Sequence, residues 1–252
     1  MYVARHNVLY VFESRYADYA DRYREMIGKL TYPTPEMERE LSRYVPKLTT
    51  YCRLADGSSF VAIEKNEGVY PLKMLGILLD RHVAWVMSRL ENLCCLLEYN
   101  GIVMNSITLD NLFVDPANHQ IYLYGGWWFA GYQGAENQGA SEAVKPYLEQ
   151  TQNKLWHTEK VRKSRNQFKT DLESIRLVAA KLLGYPDRSA LMGNVLMPHP
   201  FRDFLVSGPK ANARADFQKW DQVLLDSYGE RKFIPLSVTE DEVYSRSGEK
   251  ES

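Results

Sequence analysis

Hydrophobic spacing divides this chain into a short strand-rich beginning and a longer helical remainder. Val8 to Phe12 (VLYVF) is a run of β-formers. From Asp18 to Leu30 the spacing becomes helical, with Tyr19, Tyr23, Met26, Ile27 and Leu30 on one side. The prolines of Thr31 to Pro35 fix φ and remove donors, so the helix ends there. Glu36 to Arg43 reads as a short charged helix. Leu48 to Leu54 and Ser59 to Glu64 flank Ala55-Asp56-Gly57-Ser58, a hairpin signal. Pro71 to Leu79 reads as another short helix. Asp80 is expected to cap a longer one, Arg81 to Tyr99. Its apolar positions are Val83, Val86, Met87, Leu90, Leu93, Cys94 and Leu97, with Arg89, Glu91, Asn92 and Glu98 largely away from them. Asn100-Gly101 tolerates left-handed backbone and ends it.

A second hairpin follows, Leu112 to Val114 and Ile121 to Tyr124, around the turn Asp115 to His119. Gly131 to Asn166 is the least regular part and ends near a basic run, Glu159 to Arg165, which reads as a solvated face. Thr170 to Leu183 is a helix stopped by Gly184-Tyr185-Pro186, and His199 to Leu205 and Asp216 to Tyr228 add further helix. The polar tail from Thr239 is expected to be disordered. Strands first and helices later is the segregation of an α+β fold, a small sheet-bearing lobe before a larger helical one.

Composition narrows the function classes. With 31 basic and 32 acidic residues the net charge is −1, so nothing directs the chain to nucleic acid or to an anionic membrane. The three cysteines, Cys52, Cys94 and Cys95, have neither the number nor the spacing of a disulfide framework or a zinc site. They read as small buried hydrophobes in a reducing compartment, which makes a cytoplasmic location the expectation. The N-terminus lacks the pattern of a signal peptide, and no stretch is apolar for long enough to span a bilayer. The 17 Tyr and 5 Trp suit an aromatic core, or an interaction face.

The chemistry-bearing stretch is Gly101 to Ala130, GIVMNSITLDNLFVDPANHQIYLYGGWWFA. It resembles the catalytic loop and metal-binding strand of protein kinases. A kinase carries a catalytic Asp in H-R-D-x-x-x-x-N and a metal-binding Asp in D-F-G. In this chain Met104 stands at the His position, then Asn105, and Ser106 stands at the catalytic Asp position; only Asn111 matches. Fifteen residues past Asn111, where the metal-binding Asp belongs, stands Gly126.

The resemblance extends over roughly Val8 to Leu236 and is to the degenerate kinase-like proteins of bacteria and their phages. It implies a reduced β lobe over 1–66, a helical lobe over 67–238 and a tail over 239–252. Glu64 then falls at the hinge, and Asp171 matches the buried Asp that anchors the catalytic-loop backbone. No Gly-rich loop precedes Val8, no Lys lies on VLYVF, and Glu25 has no strand Lys to pair with. Reading Lys65 of VAIEK as that Lys leaves too little chain before the catalytic loop. Asn111 alone makes a poor Mg²⁺ site, since phosphate-bound Mg²⁺ takes one or two carboxylates. The resemblance therefore implies no catalytic residue, no metal, no cofactor and no enzyme activity. It implies a pseudokinase that acts by binding another protein, without nucleic acid or membrane. The alternative is an atypical ATP-dependent phosphotransferase or nucleotide sensor using displaced acids such as Asp110 and Asp115.

Other candidates are weaker. His119, His157 and His199-Pro200-Phe201 have no partners at ligand spacing. In an extended segment Trp127 and Trp128 would face opposite ways. One of them is expected to plug the nucleotide cleft.

Overall fold

The alternating run around Val8 becomes the second strand of a four-stranded antiparallel sheet. The computed structural model describes residues 1–133 and 168–248. The sheet contains β1 (Tyr2–Val3), β2 (Asn7–Phe12), β3 (Leu48–Arg53) and β4 (Ser59–Glu64), in the spatial order β1-β2-β4-β3. Val8, Tyr10 and Phe12 are buried on one face of β2, the period-two pattern of a half-buried strand. β3 and β4 form the expected hairpin, with Gly57 supplying positive φ (+84°) at the turn. α1 (Asp18–Gly28) follows β2 and buries Ala20, Tyr23 and Met26 at helical spacing.

α2 begins at Pro35 and ends at Leu41. The Thr34 hydroxyl accepts the Met37 N–H at 3.2 Å, so Thr34 caps the helix and Pro35 opens it. Pro35 thus starts a helix as well as closing the preceding segment.

The remaining elements are β5 (Tyr70–Pro71), α3 (Asp80–Tyr99), β6 (Ile102–Val103), β7 (Leu112–Asp115), β8 (Gln120–Leu123) and β9 (Gly131–Tyr132), then α4 (Phe168–Leu182), α5 (His199–Val206), α6 (Ala213–Tyr228) and α7 (Glu240–Gly248). β5, β7 and β8 form one small antiparallel sheet, and β6 pairs with β9. The fold is α+β. α3 runs through the middle of the helical part and packs on α4 and α6. Trp85 and Trp220 are fully buried there, and the Trp220 indole N–H donates to Ser88 Oγ at 2.8 Å. Each such apolar side chain is worth about 1.5–3 kcal/mol in removal from water.

Several expectations change. Pro71 to Leu79 is no helix beyond a 3₁₀ turn, Leu72–Leu75, because Gly76 turns the chain at φ +68°. Asp80 is the first residue of α3 rather than its cap, and its Oδ2 accepts the Tyr228 hydroxyl at 3.1 Å. Glu91, expected on the polar side, is fully buried. Burial, and then the neighbouring Asp216 carboxylate, hold its carboxyl well above the usual range, with Arg176 pulling the other way. Arg176 and Asp216 form an enclosed ion pair at 2.7 Å. Broken on one side, such a pair leaves an uncompensated buried charge.

The described part of the tail, 239–248, departs from the expectation of disorder. Thr239 and Glu242 form a reciprocal capping box: the Thr239 N–H donates to Glu242 Oε2 at 2.8 Å, and the Glu242 N–H donates to Thr239 Oγ1 at 3.3 Å. α7 then buries Val243 and sets Tyr244 edge-on to Tyr70. A capped start and one apolar anchor order a segment whose composition is polar.

Candidate functional site

Four chain passages converge beneath the four-stranded sheet. α3 ends at Tyr99, and Gly101 (φ +68°) turns the chain into β6. The loop 104–111 follows, then the β7–β8 hairpin returns the chain to Tyr124-Gly125-Gly126. A 3₁₀ turn, Trp127–Phe129, leads into β9, which pairs back on β6. The loop and the Gly126 segment are therefore held side by side. α4 supplies Asp171 from below.

Asp171 is 2 % exposed. Its Oδ2 accepts the Met104 N–H at 2.7 Å and its Oδ1 the Asn105 N–H at 3.0 Å. Both donors belong to a tight loop in which Asn105 adopts φ +59°, a region that asparagine enters more readily than most residues. Without this carboxylate the two N–H groups would be buried and unpaired. Burial pushes the Asp171 carboxyl up to about 7, against the two N–H donors, which pull it down.

Ser106 is fully buried, with Oγ 3.1 Å from Met104 O and 3.0 Å from Gly126 O. It can donate to either carbonyl and is aimed inward. The Asn111 side-chain amide donates to Ser106 O at 2.8 Å, and Asn111 O accepts the Tyr124 and Gly125 N–H groups, each at 3.1 Å. Asn111 is thus a brace joining the loop to the Gly126 segment. Gly126 has φ +84°, and a Cβ there would lie 2.2 Å from Ser106 Oγ and 2.9 Å from Asn111 Nδ2. At Gly125 a Cβ would lie 2.3 Å from Asn111 Oδ1. An acid at 126 does not fit this packing. Gly126→Asp is expected to cost roughly 2–4 kcal/mol of stability, from overpacking together with the left-handed backbone. Urea denaturation checks it; a loss under about 1 kcal/mol would mean that the loop yields easily.

The structure therefore brings Met104, Asn105, Ser106, Asn111, Gly126 and Asp171 together. It joins them into a dry knot: Met104, Asn105, Ser106 and Asn111 are all at most 3 % exposed. Such a knot has structural chemistry, since the Asp171 carboxyl, the Ser106 hydroxyl and the Asn111 Nδ2 are all spent on the backbone, while Asn105 Oδ1 has no hydrogen-bond partner.

Aromatic residues close the space between knot and sheet. Trp127 is buried, with its indole N–H on Leu123 O at 2.8 Å. Trp128 lies among Phe12 (5.1 Å between centroids), Tyr10 (5.2 Å) and Tyr23 (5.9 Å, stacked). The two indoles follow one another in a 3₁₀ turn rather than in a strand, so both are buried instead of facing opposite ways. α1 closes the same region: Tyr23 donates to Tyr124 O at 2.6 Å and Arg22 Nε to Ala130 O at 3.2 Å. The aromatic partners Tyr10, Phe12 and Tyr23 were not foreseen as a set; their only signal was aromatic spacing in β2 and α1.

The remaining candidates have other employment. Glu25 pairs with Lys29 one turn along α1, which holds its carboxyl below the usual range. Asp110 pairs with Lys73 at 2.9 Å on the surface. Asp115 accepts from Asn118 N at 3.1 Å and from Asn118 Nδ2 at 2.8 Å, the work of a turn residue. His119 lies 3.0 Å from Ile234 O and against Trp85. Glu64 pairs with Lys47 on the surface. No group of three or more His, Cys, Asp or Glu is arranged to hold a metal among the described residues. His157, the run 159–165 and most of the irregular segment lie outside the described residues. No described helix is long and apolar enough to cross a membrane.

A scan against protein-family models finds no match to this chain, and a search of curated proteins finds none either.

Proposed function

We propose that this chain is a pseudokinase, a protein of kinase-like architecture without phosphotransfer activity that serves as a protein-binding module. The observation carrying this reading is the dry knot formed by residues whose spacing resembles that of the catalytic and metal-binding positions of a kinase. In a kinase the D-F-G Asp and the catalytic-loop Asn hold Mg²⁺ against the nucleotide phosphates, and the H-R-D Asp accepts the substrate hydroxyl proton. In this chain the corresponding positions are Ser106, Gly126 and Asn111, all sealed and bonded to backbone. The helix that follows β2 supports the same reading. A kinase pairs a strand Lys with a Glu of that helix. β2 has no Lys, and Glu25 is paired within its own helix.

Exposed apolar residues on an ordered loop support the binding role. Leu196 is 94 % and Val195 78 % exposed, while Asn194 Oδ1 accepts the Leu196 and Met197 N–H groups at 2.8 and 3.1 Å. Apolar side chains held out by a fixed turn cost solvation unless something covers them.

Two measurements test the proposal. A thermal-shift titration with ATP, ADP and GTP, with and without Mg²⁺, is expected to give no shift. A nucleotide at about 100-fold over its dissociation constant would add roughly 2.7 kcal/mol, which is easily read. A Mg²⁺-dependent rise would replace the proposal with the phosphotransferase or sensor reading. For the binding role, proteins retained by the wild type should be lost by a Val195→Asp, Leu196→Asp double variant. Equal retention by both would remove that loop from the interface.

A further inference from the structure

A second site lies at the far end of the sheet, away from the sealed knot. The ends of β1 and β4, the start of β5 and the first turns of α7 line an open pocket of about 420 Å³, within the usual size range for small-molecule sites. Lys65, Glu240, Tyr70, Tyr244, Arg5 and Glu67 line it. Lys65 follows β4 and is only 4 % exposed. Its ammonium donates to Asn66 O at 3.1 Å, and an ammonium has three protons to give. Burial lowers the Lys65 pKa, while Glu240 and Glu67 raise it. Glu67 is already engaged by Arg5 at 2.9 Å and His6 at 3.4 Å. Glu240 forms no ion pair with Lys65 among the described residues, although both line the pocket. The lining therefore offers both a buried cation, Lys65, and a solvent-exposed carboxylate, Glu240, that is not ion-paired to it. Tyr70 and Tyr244 stand edge to face beside them, 6.2 Å between centroids.

That arrangement selects against singly charged ligands. An inorganic anion meets two carboxylates, and a metal cation meets Lys65 and Arg5. A molecule carrying both charges satisfies both groups, and its ammonium or apolar part can lie against a tyrosine face. We propose that this pocket binds a small zwitterion of the free α-amino-acid class. The carboxylate is held by Lys65, the ammonium by Glu240, and the side chain lies over the Tyr70–Tyr244 pair. The site is independent of the pseudokinase reading, because none of its residues belongs to the knot.

The test is a thermal-shift screen of the full chain with the free amino acids singly at about 10 mM. Each is run beside its amide, which lacks the carboxylate, and its N-acetyl derivative, which lacks the ammonium. At least one amino acid should raise Tm, while its amide and N-acetyl derivative should not. Glu240→Gln and Lys65→Met should each weaken that ligand by about tenfold or more, the usual effect of losing a charged hydrogen bond. Glu240 is exposed on α7, so its variant remains informative if Lys65→Met fails to fold. The proposal is overturned if no amino acid raises Tm, if inorganic phosphate does so equally, if the amide binds as well as the parent, or if Glu240→Gln binds unchanged.

Discussion

Trp128→Ala is expected to remove about 3–5 kcal/mol of stability, the range for truncating a buried aromatic residue. The indole touches both halves of the molecule. Its ring neighbours include Tyr10 and Phe12 on β2, Tyr23 on α1 and Phe129 on its own turn. Packing of this density collapses only in part, so most of the indole volume would remain as a cavity. Urea denaturation gives the loss directly, as a lower midpoint with a similar slope. The same variant tests whether the indole takes part in excluding nucleotide. If the indole alone excluded nucleotide, its removal would restore a Mg²⁺-dependent thermal shift. We expect none, because on the proposed pseudokinase reading the metal-holding acid, replaced by Gly126, is absent as well. A shift in Trp128→Ala with none in the wild type would assign the exclusion to Trp128.

Asp171→Ala is expected to cost roughly 4 kcal/mol, since two buried N–H groups lose their acceptor, at about 1–3 kcal/mol each. Asp171→Asn retains one acceptor oxygen and should cost about half as much. The wild type also carries a pH signature. The Asp171 carboxyl moves from an ordinary 3.8 to about 7 on folding, so the folded state holds a proton that the unfolded state releases earlier. That contribution is complete below pH 4 and is lost as pH rises to 7, on the order of 4 kcal/mol in all. Glu91, also raised, adds a slope of the same sign. Comparing wild type with Asp171→Asn isolates Asp171: the difference between their stability curves should change across pH 4 to 7. Parallel curves would mean that the carboxyl is ionised throughout, held so by its two N–H donors.

Much of this architecture was legible because local signals agreed. Ser59 to Glu64 was bounded correctly from its turn and its β-formers. The stop of α4 at Gly184 followed from a residue that tolerates φ +86°. The convergence of Ser106, Asn111, Gly126 and Asp171 was readable through spacing that resembles a kinase. Other features gave no local sign. Glu91 looks like any surface carboxylate in its helix, and it is interior because α6 and Arg176 close over that turn of α3. α7 was hidden by composition, although Thr239 and Glu242 stood at capping-box spacing. β1, β5, β6 and β9 are each two residues long, too short for any periodicity to show.

By itself, the sequence determined that both expected acids are missing: no fold can place a carboxylate at Ser106 or Gly126. It also determined the α+β order, because periodicity and turn residues act over a few neighbours. Tertiary structure decided what fills the space left behind. A serine and a glycine are compatible with an open, hydrated cleft. The closure arises from Trp128 meeting Tyr10, Phe12 and Tyr23, residues more than a hundred positions away along the chain. Contacts at that separation leave no trace in local spacing, since their energy depends on shape complementarity that exists only once sheet, helix and turn have docked.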